Sequence, residues 1–147
     1  MKAFPFSLAF LALAPAAVAA QQHVWHADLQ VRTLAVTESD GNLTARVVVA
    51  VEQGEAMGAR VEILLPVGVG IVQLAPGCAP GPSAPGVPSL RARVVCTIGT
   101  LRPRDVREFR VTTTAAPAGV APRFGAMATS DTPDPNPGNN FAETGGS

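Results

Sequence analysis

After its first twenty residues, no eleven-residue stretch of this sequence shows a sustained helical periodicity, and this most constrains the fold. Short runs of β-branched and apolar residues alternate instead with turn-forming residues. The run over 47–51 is apolar on both faces, which is typical of a strand at the centre of a sandwich. Over 75–89, five prolines and three glycines exclude a helix or an inner strand. The sequence therefore predicts an all-β domain with almost no helix.

About seven short strands separated by turn signals predict an immunoglobulin-like antiparallel β-sandwich. The predicted strands cover 29–36, 43–52, 60–65, 69–74, 90–98, 106–114 and 124–129. The dense turn signal at 38–42 predicts a hairpin between the first two strands. We expect the first and the last strand to form open sheet edges, to which a strand of a partner could add.

The first twenty residues have the pattern of an export signal. Lys2 precedes an apolar run over 4–14, which is shorter than the roughly 20 residues of a membrane span. Small residues follow, and we expect cleavage after Ala19 or Ala20; an uncleaved anchor is the alternative. The chain is thus divided into a signal peptide at 1–20, a leader at 21–26 and one domain at 27–145. The expected localisation is periplasmic or extracellular in a bacterium.

Two cysteines, Cys78 and Cys96, are present, and an even number in an exported chain indicates one disulfide. A metal or redox pair is disfavoured, because their spacing is wide and no histidine or further cysteine lies at ligand spacing. Without the signal peptide, ten arginines and eleven acidic residues leave a net charge near −1. Charge therefore selects no class of partner, and we do not expect nucleic acid.

Near its C-terminal end the chain reads Asp-Thr-Pro-Asp-Pro-Asn-Pro-Gly-Asn-Asn over 131–140, which we call the closing segment. Before it come Ala-Asp-Leu-Gln-Val at 27–31, Leu-Leu-Pro-Val-Gly-Val at 64–69 and Val-Cys-Thr-Ile-Gly-Thr-Leu at 95–101. In this order the segments resemble the bacterial conserved-repeat domain of unknown function eleven, an immunoglobulin-like module of surface and secreted proteins. The resemblance covers 27 to about 144. It implies that fold in a surface or secreted protein; the family often occurs as tandem arrays, and we expect a single copy here.

The closing segment also carries a candidate calcium site. Asp131, Asp134 and Asn136 supply oxygen ligands from one loop, as calcium prefers. The alternative is turn chemistry, in which Asn and Asp side chains bond to nearby backbone amides while the prolines hold the segment extended.

The leader holds both histidines of the chain, His23 and His26, beside Trp25. If cleavage follows Ala20, His23 becomes the third residue. The terminal amine, two amides and an imidazole could then bind Cu(II) or Ni(II) in a square plane. The alternative is a leader without metal, with Trp25 packed on the sandwich edge.

Six of the ten arginines lie within twenty residues, between 91 and 110. Arg91 and Arg93 alternate on one strand face, and Arg107 follows on the next strand. They predict a basic patch for an anionic surface polymer or an acidic protein, because guanidinium groups match such ligands. The alternative is a solvated face partly neutralised by neighbouring acids.

Catalysis finds little support in the sequence. The histidines lie in the leader, the cysteines are expected to be paired, and no glycine-rich phosphate loop or zinc signature is present. We therefore expect a non-catalytic exported module without a cofactor, which binds another envelope protein or an anionic surface polymer. The alternative is a small periplasmic copper-binding protein that uses the leader histidines.

Overall fold

The structure is a computed structural model that describes residues 25–82 and 91–144. Over these residues it contains nine strands, one 3-10 turn at Pro137–Asn139 and no α-helix. The strands are β1 (Leu29–Ser39), β2 (Asn42–Val51), β3 (Ala56–Leu64), β4 (Ile71–Leu74), β5 (Cys78–Pro80), β6 (Arg93–Leu101), β7 (Val106–Thr114), β8 (Gly125–Thr129) and β9 (Phe141–Glu143). The predicted signal peptide and His23 lie outside the described residues.

The strands form two antiparallel sheets. The four-stranded sheet has the order β1-β2-β7-β4, and the five-stranded sheet has the order β5-β6-β3-β8-β9. The predicted immunoglobulin-like sandwich is confirmed, and each predicted strand has a counterpart. Two three-residue strands, β5 and β9, were not predicted, since a run this short shows no alternation.

The core lies between the two sheets and is formed by the inward-facing side chains, which alternate with outward-facing ones along each strand. From β2 it takes Leu43, Ala45, Val47, Val49 and Val51, and the other strands contribute residues such as Ile63, Val94, Phe109, Val111 and Ala126. On the outer face of β2, Val48 and Ala50 are also buried, as predicted for a central strand. Their cross-strand neighbours on β1 and β7 flank them on both sides.

The edge prediction is half right. β1 does form one edge of the four-stranded sheet. The prediction that the strand over 124–129 is an edge is wrong, because β8 lies between β3 and β9 and pairs with both. The closing segment turns back after β8 and adds Phe141–Glu143 as the outer strand. Alternation along a sequence shows which side of a strand is buried, but not which strands are its neighbours.

The disulfide between Cys78 and Cys96 is confirmed, and it lies within one sheet. The two residues are direct cross-strand partners on β5 and β6, with their Cα atoms 3.9 Å apart. Cys96 is fully buried on the inner face of β6. The bridge therefore fastens the three-residue edge strand β5 to the five-stranded sheet.

Replacing both cysteines with alanine should lower the free energy of unfolding by about 2–5 kcal/mol, because the unfolded chain gains entropy when an 18-residue link is opened. Urea unfolding of the double variant and of the parent protein, with and without reductant, measures the loss. The reduced parent should match the variant. Identical midpoints for the oxidised and reduced parent would contradict a stabilising bridge.

Candidate functional site

A cleft of about 450 Å³ opens at one end of the sandwich, and we call it the end cleft. Its walls come from the segment before β1, the start of β3 and the segment after β8. It is lined by Trp25, Glu55, Met57, Asp131, Thr132 and Pro133. A volume of this size is typical of sites for small molecules or single side chains.

Hydrogen bonds between β3 and the closing segment hold the floor of the end cleft. The hydroxyl of Thr132 accepts from the N–H of Met57 at 3.0 Å and donates to the carbonyl of Glu55 at 3.0 Å. The N–H of Asp131 donates to the carbonyl of Met57 at 2.8 Å. Thr132 is buried, so both bonds of its hydroxyl are shielded from water. The floor is therefore a fixed part of the fold.

Two glycines with left-handed backbone allow the walls to approach each other. Gly58 has a φ of 59°, and a Cβ there would lie 2.1 Å from Oδ2 of Asp131. Gly54 has a φ of 74°, and a Cβ there would lie 1.8 Å from the backbone oxygen of His26. The first glycine makes room for the Asp131 carboxylate, and the second for the backbone that leads to Trp25.

Large apolar side chains are exposed at the mouth of the end cleft. Trp25 is 76% exposed and Met57 is 56% exposed. Two residues after Trp25 the backbone is held in place, since Ala27 donates its N–H to the carbonyl of Pro133 at 3.0 Å. An exposed indole at a concave position on a fixed backbone is typical of a binding site.

The charge of the end cleft is negative. Glu55 has one weak ion pair, in which its carboxylate lies 3.9 Å from the exposed side chain of Arg102. The carboxylate of Asp131 has no basic group within 4 Å in the part of the chain that the structure describes. One of the two acids is thus without a counter-charge.

A second groove, of about 540 Å³, lies on the four-stranded sheet. Most of its polar side chains already have partners: the hydroxyls of Thr44 and Thr112 are 3.0 Å apart, and Glu108 pairs with Arg46 at 2.7 Å and Arg110 at 2.9 Å. These contacts, above all the hydrogen bond from Arg46, hold the pKa of Glu108 below its ordinary value. The end cleft, with its unpaired carboxylate, is the better candidate.

The three arginines of the predicted basic patch lie on different sheets. Arg93 begins β6 and pairs with Glu62 at 3.4 Å, and Arg91 just before it pairs with Glu143 at 2.7 Å. Arg107 lies on β7 in the other sheet. Because β6 spans roughly 26 Å before the turn to β7, Arg107 is near the opposite end of the sandwich. The structure does not bring the three together, and binding of an anionic polymer stays a prediction.

The predicted calcium ligands have separate roles. Asp131 lines the end cleft, whereas the carboxylate of Asp134 accepts hydrogen bonds from the N–H of Leu29 at 2.9 Å, the N–H of Asn136 at 2.7 Å and the side chain of Asn140 at 3.0 Å. Such contacts are the turn chemistry considered as the alternative. In residues 25–82 and 91–144, no three His, Cys, Asp or Glu side chains are grouped to hold a metal. Calcium binding stays a prediction.

Asp134 joins the two ends of the domain in what we call the clasp. The carboxylate of Asp134 accepts from the N–H of Leu29, and the side chain of Asn139 donates to Asp28 at 2.8 Å. These two hydrogen bonds make up the clasp. The amide oxygens of Asn139 and Asn140 are buried and accept no hydrogen bond from the described residues. The clasp fixes the residues just after Trp25, and so one wall of the end cleft.

The predicted copper site is only half within the described residues. His26 is exposed there, and His23 lies outside them. Copper binding by the leader stays a prediction. The structure also contains no helix, over the residues it describes, with the length and hydropathy of a membrane span.

The sequence alone does not predict that the residues of the end cleft lie together. Met57 lies between the predicted strands at 43–52 and 60–65, whereas in the structure β3 begins at Ala56. Trp25 was expected to pack on the sandwich edge, as the metal-free alternative for the leader. The available signal was the pair of glycines, Gly54 and Gly58, around one short segment, which marks a close approach of backbones.

Comparisons with known proteins found one distant structural similarity to report. No family model matches the chain, and no curated protein matches it. Among solved structures, the chain is similar to ChBD2 from Thermococcus kodakarensis KOD1. The TM-score is 0.41 and the sequence identity is 15%, over 71% of this chain and 96% of that chain. A similarity this distant does not extend to ligand or function.

Replacing Asp134 with alanine should lower the free energy of unfolding by about 1–3 kcal/mol, because the buried N–H of Leu29 loses its acceptor. Asp131→Ala is the matched control, since it removes a carboxylate from the same segment that accepts no hydrogen bond. Urea unfolding compares the two variants. Equal losses would mean that the clasp does not depend on Asp134.

Replacing Gly54 with alanine should destabilise the domain more than Gly119→Ala does. Both glycines have positive φ, 74° and 80°, so both variants carry the left-handed strain of about 1–2 kcal/mol. Only at Gly54 does the new Cβ meet backbone; at Gly119 nothing lies within 4 Å. Thermal unfolding measures the difference, and equal melting temperatures would contradict the close approach to His26.

Proposed function

We propose that the protein is an exported, non-catalytic module that binds a partner protein of the bacterial cell envelope through the end cleft. The observation that carries the proposal is the exposed pair of Trp25 and Met57 above a hydrogen-bonded floor. Tryptophan at a fixed concave site supplies much of the binding energy in many protein interfaces.

Export is supported by two independent features. The first twenty residues have the charge, apolar run and small residues of a signal peptide. The domain contains a disulfide, and such bonds persist in oxidising compartments outside the cytoplasm. We propose on this basis that the domain acts in the periplasm or outside the cell.

A non-catalytic role is supported by what lies near the end cleft. Nucleophilic catalysis uses an activated serine, cysteine or similar group beside an oriented base. Both cysteines are in the disulfide, and the lining groups of the cleft are apolar, hydroxyl or carboxylate. The hydroxyl of Thr132 is engaged in the floor. Such a site suits recognition better than covalent chemistry.

We also propose that the domain belongs to the immunoglobulin-like family that its segments resemble. The proposal is supported by a hydrogen bond between two of the segments that carry the resemblance. The closing Asp-Pro-Asn-Pro segment supplies Asp134, which bonds to Leu29 in the opening segment. A motif that joins both ends of a domain has a physical reason to recur with that fold.

Photo-crosslinking tests the proposed function. A benzophenone amino acid in place of Met57 should give a discrete adduct with one envelope protein in the producing cells. The same amino acid in place of Val72 is the matched control, because Val72 is exposed to a similar degree, 54%, on β4. An adduct identified by mass spectrometry at position 57 alone is expected. Absence of an adduct at 57, or the same adduct at 72, would contradict the proposal.

A further inference from the structure

The charges and shape of the end cleft indicate which group it takes. We propose that the end cleft binds the cationic side chain of an arginine or lysine on the partner protein. This ligand class rests on the proposed function and goes beyond it by naming the chemistry of recognition. The inference follows from three features: an unpaired carboxylate, apolar walls and a weakly held arginine at the rim.

Asp131 stands out among the acidic side chains. Every other acidic side chain except Glu38 has a partner. Each of them either lies in an ion pair with an arginine or accepts a hydrogen bond from a side chain or a backbone N–H. Glu38 lies at the exposed end of β1, next to the hairpin turn. Within the described residues, Asp131 is therefore the acid that combines a concave, partly apolar setting with a carboxylate that has no partner.

The apolar walls suit the rest of a long cationic side chain. A guanidinium or ammonium group is attracted to the face of an indole, and Trp25 is exposed beside the two acids. The methylene stem of such a side chain can lie against Met57 and Pro133 while its head reaches a carboxylate. A single arginine or lysine side chain fits within about 450 Å³.

Other ligands match these features less well. A neutral sugar could stack on Trp25, but it would leave the Asp131 carboxylate without a counter-charge. An anionic polymer would meet the negative charge of Glu55 and Asp131 and be repelled. A cationic side chain is attracted both to the face of the indole and to the carboxylates.

Arg102 gives the inference an internal check. Its side chain is 75% exposed and lies 3.9 Å from the carboxylate of Glu55, at the limit of an ion pair. Its charge lowers the negative potential of the end cleft and competes for Glu55. Removing that charge should therefore strengthen the binding of a cation, whereas a merely structural Arg102 would weaken binding or leave it unchanged.

The emission of Trp25 provides the measurement. The chain has one tryptophan and no tyrosine, so its intrinsic fluorescence reports on the end cleft alone. The exported protein is titrated with the peptide acetyl-Gly-Arg-Gly-amide, its lysine counterpart and its citrulline counterpart, in which the guanidinium is replaced by a neutral urea. Cellotriose serves as a neutral sugar. Saturable changes with arginine and lysine, but not with citrulline or cellotriose, are expected.

Four variants separate the contributions. Asp131→Asn should weaken binding of the arginine peptide by about tenfold, and Glu55→Gln by less, because Glu55 already has a partner. Arg102→Gln should strengthen binding severalfold. Asp40→Asn is the matched control for net charge, since Asp40 lies in the hairpin turn at the far end of β1, and it should change nothing. Melting temperatures verify that each variant folds.

The outcomes distinguish the inference from the function on which it rests. Equal binding of the citrulline peptide, or an unchanged affinity in Asp131→Asn, would overturn the cationic ligand. If position 57 still forms its adduct in cells, the proposed function survives that failure. If cellotriose alone saturates, the ligand is a sugar and both the cationic side chain and the protein partner are refuted.

Discussion

The carboxylate of Asp134 connects residues that are 105 positions apart in the chain, and the arrangement of the domain's end depends on it. It accepts the N–H of Leu29, the first residue of β1, which has no exposed surface through which water could replace the bond. It also accepts the N–H of Asn136 and thereby closes its own turn. One side chain thus sets both the start of the first strand and the course of the closing segment.

The end cleft follows from this connection. With the clasp in place, Ala27 bonds to the carbonyl of Pro133, and the backbone before it passes over Gly54. The closing segment on its other side reaches β3 through Thr132 and Asp131. Trp25 and Asp131 therefore lie in one cleft, because the clasp holds the segment before β1 against the closing segment and the threonine hydroxyl holds the closing segment against the start of β3.

The strands were predictable because their burial alternates residue by residue and turn residues separate them. The neighbours of each strand were not, so β8 was mistaken for an edge. The arginine patch failed to assemble for a related reason: residues close in sequence are carried apart when a strand such as β6 crosses the whole sheet. The end cleft was hidden because its walls come from three separate segments, and only tertiary hydrogen bonds bring those together.

The distribution of arginines explains why the Asp131 carboxylate in the end cleft has no arginine partner. On the sheet faces, Arg46 and Arg93 pair with acids on neighbouring strands that lie diagonally across the register. Arg91, just before β6, pairs with Glu143. The end cleft has no such register, because Glu55 lies just before β3 and Asp131 lies after the end of β8. There, Arg102 reaches only Glu55, and does so at 3.9 Å. A cation from another protein can therefore reach Asp131 without first breaking an ion pair.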